Sequence, residues 1–180
     1  MKKILMALGI LIGLILLIGL ALPKDFHIER EVVINKPKSV VFDYMKQLKK
    51  QDNWSPWAKM DPGMSKSYKG EDGTVGFTSS WSGNNKVGEG EQEIKNIVEG
   101  ERIDTELRFK KPMANTNTAY FITESVGPHQ TKVRWGMNGK SPYPFNIVCF
   151  IFNMKKKVGE NFEEGLESLK AVLEKQEHSH

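Results

Sequence analysis

The sequence of 180 residues predicts an α+β fold. A curved antiparallel sheet of about six to seven strands wraps around one long C-terminal helix, and one apolar helix precedes it. Three observations carry this. Between Ser65 and Gly139 apolar and polar residues alternate in successive runs separated by turn residues, the period of strands. Beyond Pro144 the period becomes helical: Phe162, Leu166, Leu169 and Leu173 fall on one face, with Glu160, Glu163, Glu167 and Lys170 opposite. Ile4 to Leu22 is an unbroken run of nineteen residues with no polar side chain.

That run is expected to be a helix of about 28 Å, long enough to cross the roughly 30 Å hydrocarbon core of a bilayer once. Residues 1–23 are therefore read as a membrane anchor. Lys2 and Lys3 favour a cytoplasmic N-terminus and place the following domain outside. The alternative is a signal peptide cleaved near Gly19-Leu20-Ala21, with secretion of the remainder.

Phe26 to Ile34 reads as the first strand, ended by Asn35-Lys36-Pro37. Pro37 opens a helix through Met45, where proline is tolerated in a first turn. A short helix or turn carries Gln51 to Trp54, and Asp61-Pro62-Gly63 turns the chain. Strands are expected over Ser65–Lys69, Val75–Trp81 and Lys86–Val98, the last bent at Gly88 and Gly90. Ile103, Thr105, Leu107 and Phe109 alternate with charged partners in a half-buried strand. Thr116–Glu124 and a strand carrying Val133, Trp135 and Met137 complete the sheet; parity in the former is ambiguous at Tyr120-Phe121-Ile122. The domain is expected over 24–175, with a frayed tail at 176–180.

A net charge of +4, interleaved with acids and without a basic aromatic stripe, argues against nucleic acid. The four histidines lie without ligand spacing, so no metal and no cofactor is expected. Cys149 lacks a visible base partner and is expected to be a small buried hydrophobe. No nucleophile elbow, phosphate loop or dinucleotide fingerprint occurs, and no catalytic residue is assigned.

Several segments resemble the START-related helix-grip superfamily (SRPBCC), within it the polyketide cyclase/dehydrase-like branch. They are Val33-Ile34-Asn35-Lys36-Pro37 with Val40 and Phe42; Trp54-Ser55-Pro56-Trp57 with Asp61-Pro62; Gly76 to Asn84 with Gly88-Glu89-Gly90; Thr131 to Met137; and Gly159 with Phe162 to Lys170. The resemblance implies a cavity between sheet and helix, and a ligand-binding role more readily than a defined activity. The anchor departs from the soluble domains usual in that superfamily.

Strand parity nominates Phe77, Trp81, Leu107, Phe109, Tyr120, Ile122, Trp135 and Met137 as inward-facing, with Phe162 and Leu166 opposite on the helix. Periodicity alone allows an ordinary filled core; the resemblance favours an apolar pocket for a hydrophobic small molecule or lipid. Trp54, Trp57, Phe145 and Phe150 are candidates for its entrance. Trp54 and Trp57 could instead anchor a helix to the sheet. The segment from Phe145 to Met154, followed by Lys155-Lys156-Lys157, could lie in a membrane interface, cap the pocket, or form a covered first helical turn. Three functions remain open: a membrane-anchored binding domain, a cyclase/dehydratase-like enzyme, and an interaction module with a filled core.

Overall fold

The computed structural model describes residues 1–175. The expected frayed tail at 176–180 lies outside the described residues. The chain begins with helix α1 (Lys2–Ala21), exposed along nearly its whole length. Among the described residues it is the one helix long and apolar enough to cross a membrane. Strand β1 (Asp25–Ile34) follows after three residues, then α2 (Lys38–Met45), a tight 3-10 segment (Leu48–Asn53) and α3 (Pro56–Met60). Six strands come next: β2 (Ser65–Lys69), β3 (Thr78–Ser82), β4 (Glu89–Val98), β5 (Arg102–Lys111), β6 (Asn115–Gly127) and β7 (Gln130–Lys140). Helices α4 (Phe145–Ile151) and α5 (Met154–Lys175) complete the order.

All seven strands form one antiparallel sheet, ordered β1-β7-β6-β5-β4-β3-β2. Six strands follow as a meander because short turns join antiparallel neighbours. β1 and β7 pair residue for residue from Asp25↔Lys140 to Ile34↔Thr131. One end of the sheet therefore collects the start of β1, the end of β7, the β5–β6 turn and the β3–β4 turn. It is called the α1 end here, because α1 feeds directly into it.

α5 lies across the concave face, its N-terminal part toward the α1 end and its C-terminal part at the far end. The backbone N–H of Asn35, at the far end of β1, donates to Glu174 Oε1 at 2.8 Å. Midway, Arg30 on β1 reaches Glu163 at 2.5 Å. Leu166, Leu169 and Leu173 bury completely against Val32, Ile34, Phe121 and Val133, joined by Val41, Phe42 and Met45 of α2 and by Trp54.

The structure amends four local expectations. Val75, Gly76 and Phe77 precede β3 rather than belong to it: Gly76 sits at φ +89°, a turn conformation that interrupts strand geometry. Lys86 to Gly88 belong to the β3–β4 turn, so β4 starts at Glu89. The bend expected at Gly88 and Gly90 is a register shift between Glu89 and Gly90. The apolar segment after Pro144 is a separate short helix, broken from α5 at Asn153 (φ +47°).

Candidate functional site

The sheet's concave face divides into two parts. Toward the far end, inward positions carry large apolar side chains: Ile94, Ile103, Phe121 and Val133. Toward the α1 end β3, β4 and β6 turn inward the small or polar Ser79, Gln92, Asn117 and Ala119, beside the larger Trp81, Leu107, Phe109 and Met137. The helix packs tightly on the first set and cannot reach the second. A cavity of about 780 Å³ remains, within the usual range for small-molecule sites.

Aromatic rings floor the cavity. Trp135 and Phe162 stack nearly parallel, with centroids 4.1 Å apart and an interplanar angle of 5°. Trp57 packs edge-on against both, at 5.8 and 6.1 Å. Gly165 lets α5 approach this floor: a Cβ there would come within 2.8 Å of the Trp135 ring. On the opposite wall Trp81 meets Phe109 edge-to-face at 5.8 Å. The Trp81 indole N–H donates to the Val87 carbonyl at 3.3 Å, which fixes the ring as a wall.

Six of the nominated inward residues line this space: Trp81, Leu107, Phe109, Trp135, Met137 and Phe162. Phe77 and Leu166 face inward but belong to the packed core. Phe77 stacks on Tyr68 at 6.1 Å, and Leu166 packs behind the aromatic floor. Tyr120 and Ile122 are corrected: they face the convex side. The inward residues of β6 are Asn117, Ala119, Phe121 and Thr123. Tyr120 covers the bare backbone of Gly136 under the Arg102 guanidinium, which sits 4.6 Å above the ring. Its hydroxyl donates to Glu29 Oε2 at 2.5 Å. Burial, and then this hydrogen bond, push its pKa up to about 12.

Of the entrance candidates, Trp57 and Phe150 border the cavity. Trp54 is 1 % exposed and sits behind Trp135 at 5.3 Å, so it anchors rather than gates. Phe145 is exposed and does not line the space. Cys149 is only half-buried and borders the cavity, where Ser141 Oγ lies 3.4 Å from its sulfur; the expected full burial is not found.

Sequence reasoning missed the polar row, because Ser79, Gln92 and Asn117 were not weighed as inward-facing. The signal was available: Gln92 and Asn117 share the parity of Ile94 and Phe121 on their own strands. Gln92 Nε2 donates to Thr105 Oγ1 at 3.2 Å. Asn117 accepts from Asn115 at 3.3 Å. Carboxylates border the cavity only at its margins, as Asp25 and Asp52, the latter ion-paired with Lys66. Among the described residues no group of His, Cys, Asp and Glu could hold a metal.

On the convex side of this half, Arg108 joins Glu91 (2.6 Å), Glu93 (2.8 Å) and Glu106. Hydrogen bonds from Arg108 hold the Glu91 and Glu93 carboxyls below the ordinary carboxylate value. These carboxylates solvate the sheet and stay out of the cavity.

No protein-family model matches the sequence, and no curated protein matches it either. Solved structures do. Protein MLL2253 from Mesorhizobium loti superposes with a TM-score of 0.61 at 13% identity, over 83% of this chain and 98% of that one. The major latex-like protein 151 of Panax ginseng gives 0.55 at 12% identity, over 83% and 98%. Ara h 8.0201 gives 0.56 at 13% identity, over 83% and 97%. At such identities the likeness concerns the fold, and that fold is the helix-grip: a curved antiparallel sheet closed by a long C-terminal helix.

Proposed function

We propose that the protein is a membrane-anchored domain that binds an apolar or amphipathic, lipid-like small molecule between its sheet and α5. One observation carries this reading: a cavity of about 780 Å³ with aromatic walls, in a fold whose other half is fully packed. The space is open to solvent, and it joins mostly apolar and aromatic walls to a few convergent polar groups, the make-up of small-molecule sites. Binding would proceed by burial of apolar ligand surface, at roughly 25 cal/mol per Å² removed from water. Residues 4–22 would hold the domain at the membrane, with Lys2 and Lys3 on the cytoplasmic side and the domain outside. Placement in the polyketide cyclase/dehydrase-like branch is part of the same reading.

A cyclase-like enzyme is the second reading, favoured by the row Ser79, Gln92 and Asn117, which could orient a polar substrate. No acid or base stands among these three, so the row positions groups without moving protons. The filled-core interaction module does not accommodate the cavity.

The test is native mass spectrometry of the full chain released from detergent micelles, with organic extraction of what co-purifies. A stoichiometric lipid or apolar metabolite is expected. A chain that neither carries nor takes up any apolar compound, from a panel of fatty acids and single-chain lipids, overturns the reading.

A further inference from the structure

The cavity reaches the α1 end of the sheet, where Leu22, Pro23, Lys24, Lys111, Pro112 and Ser141 line it. β1 starts at Asp25 and α1 ends at Ala21, so residues 22–24 are the whole connection. Three residues span at most about 11 Å. If α1 crosses a membrane, this end of the domain stands at the bilayer surface whatever the tilt of α1. The rest of this inference rests on the binding reading above.

α4 is fastened to the same place. Ile147 packs against Gly19 in the last turn of α1, where a Cβ would leave no room. Asn146 Nδ2 donates to the Gly19 carbonyl at 2.7 Å, satisfying one of the backbone acceptors that a helix end leaves unpaired. Held there, α4 exposes its apolar surface: Phe150 is 67 % and Ile151 64 % exposed, with Val148 and Phe152 beside them. A contiguous aromatic and aliphatic patch of this kind marks an interaction surface. Continuity with α1 identifies what covers it: the lipid that surrounds α1.

Charge agrees. Lys155, Lys156 and Lys157 stand in the first turn of α5, which begins three residues beyond the end of α4, with Lys156 paired to Glu160 at 3.7 Å. At the cavity margin stand Lys24, Lys86, Lys111 and Lys155. Lys111 is neutralised by Glu89 at 2.8 Å. Among the described residues Lys24, Lys86 and Lys155 carry no ion pair. The margin also holds an unused acceptor: Asn146 is 2 % exposed, and its Oδ1 has no hydrogen-bond partner. A buried unpaired acceptor is costly unless a ligand supplies the donor.

We propose that α4 is an interfacial helix beside a membrane-facing port, and that the cavity takes an anionic single-chain amphiphile directly from the leaflet. Its chain lies over Trp135, Phe162, Leu107 and Phe109. Its anionic head meets Lys24, Lys86 and Lys155, and a head-group hydroxyl donates to Asn146 Oδ1. The cavity is of the size that holds one small ligand, which suits one chain and a small head rather than a two-chain phospholipid.

The test uses the full chain in vesicles of phosphatidylcholine and phosphatidylglycerol. A nitroxide is attached through Phe150→Cys, and separately Phe152→Cys, in a Cys149→Ser background; His129→Cys marks the far-end turn. Relaxation by oxygen over a water-soluble nickel chelate is expected at 150 and 152, and the reverse at 129. Tryptophan quenching by brominated lysophosphatidylglycerol is expected at about tenfold lower concentration than by brominated lysophosphatidylcholine, a difference of about 1.4 kcal/mol. In the triple variant Lys24→Gln, Lys86→Gln, Lys155→Gln quenching by brominated lysophosphatidylglycerol should weaken about tenfold, to the level of brominated lysophosphatidylcholine. Labels at 150 and 152 that read as water-exposed overturn the port, and equal quenching by the two lipids overturns the anionic preference, while binding itself stands. Failure of both lipids and of fatty acids to quench removes the binding reading, and the inference with it.

Discussion

The two halves of the concave face are made by the same strands and the same helix, yet one is solid and the other hollow. Along β6, Phe121 and Thr123 lie in the packed half, and Asn117 and Ala119 in the open one. Along α5, Leu166, Leu169 and Leu173 are fully buried, whereas Met154, Val158 and Phe162 border the cavity. The small and polar residues Ser79, Gln92, Asn117 and Ala119, together with the register shift at Glu89/Gly90, distinguish the open half. Large side chains interdigitate at the far end, so a larger share of the packing energy is expected there. The α1 end gives up packing and contacts to keep a space. The Trp135–Phe162 stack is the partition between the two.

The largest effects should separate the halves by stability. Phe121→Ala, in the packed half, is expected to cost about 3–5 kcal/mol, and Leu169→Ala about 2–5 kcal/mol. Leu107→Ala, at the cavity wall, should cost less than about 1.5 kcal/mol, because its side chain already lacks neighbours on one side. Denaturant unfolding of the full chain in detergent measures all three. Equal losses would mean that the open half is packed as firmly as the other, and the comparison would fail.

A filling substitution sharpens the contrast. Ala119 lies between Met137 and Thr105 in the ladder and faces the cavity. Ala119→Leu should leave stability unchanged or raise it by up to about 1 kcal/mol. Uptake of a brominated fatty acid, read by tryptophan quenching, should fall about tenfold or more, or about 1.4 kcal/mol. Unaltered uptake would move the ligand away from β6.

What was legible in the sequence follows the same division. Where strands alternate cleanly, as in Ile103 to Phe109, both the element and its inward face could be read, because period two admits one answer. Where apolar residues run together, as in Tyr120-Phe121-Ile122, the pattern is silent on face. The inward position belongs to Phe121, because Tyr120 has a polar end that reaches Glu29 on the convex side. The aromatic floor was legible as Trp135 and Phe162. The polar row was not nominated, although Ser79 shares the parity of Phe77 and Trp81 and Gln92 that of Ile94, because pocket candidates were chosen among large apolar side chains; the register places Ser79 and Gln92 opposite one another. The docking of α4 on α1 joins residues more than a hundred positions apart, and no local pattern encodes it.

The smallest expected effects concern the convex side and run in opposite directions with pH. Glu91 and Glu93 have pKa values below their ordinary 4.5, chiefly through hydrogen bonds from Arg108. A carboxyl lowered by folding adds stability above its unfolded value and loses it as pH falls through the folded one. Acid should therefore weaken β4–β5, and Arg108→Gln should flatten that dependence by less than about 1 kcal/mol, as befits exposed pairs. Tyr120 behaves in the opposite sense. Its folded pKa stands at about 12 against an ordinary 10.0, so the folded state holds the phenolic proton more tightly. Its contribution is complete below pH 10 and is lost as pH rises toward 12. Tyr120→Phe should remove that alkaline slope, measured as unfolding midpoints across the interval, while leaving ligand uptake unchanged. A loss of uptake in this variant would place Tyr120 back among the cavity residues and undo the parity assigned to β6.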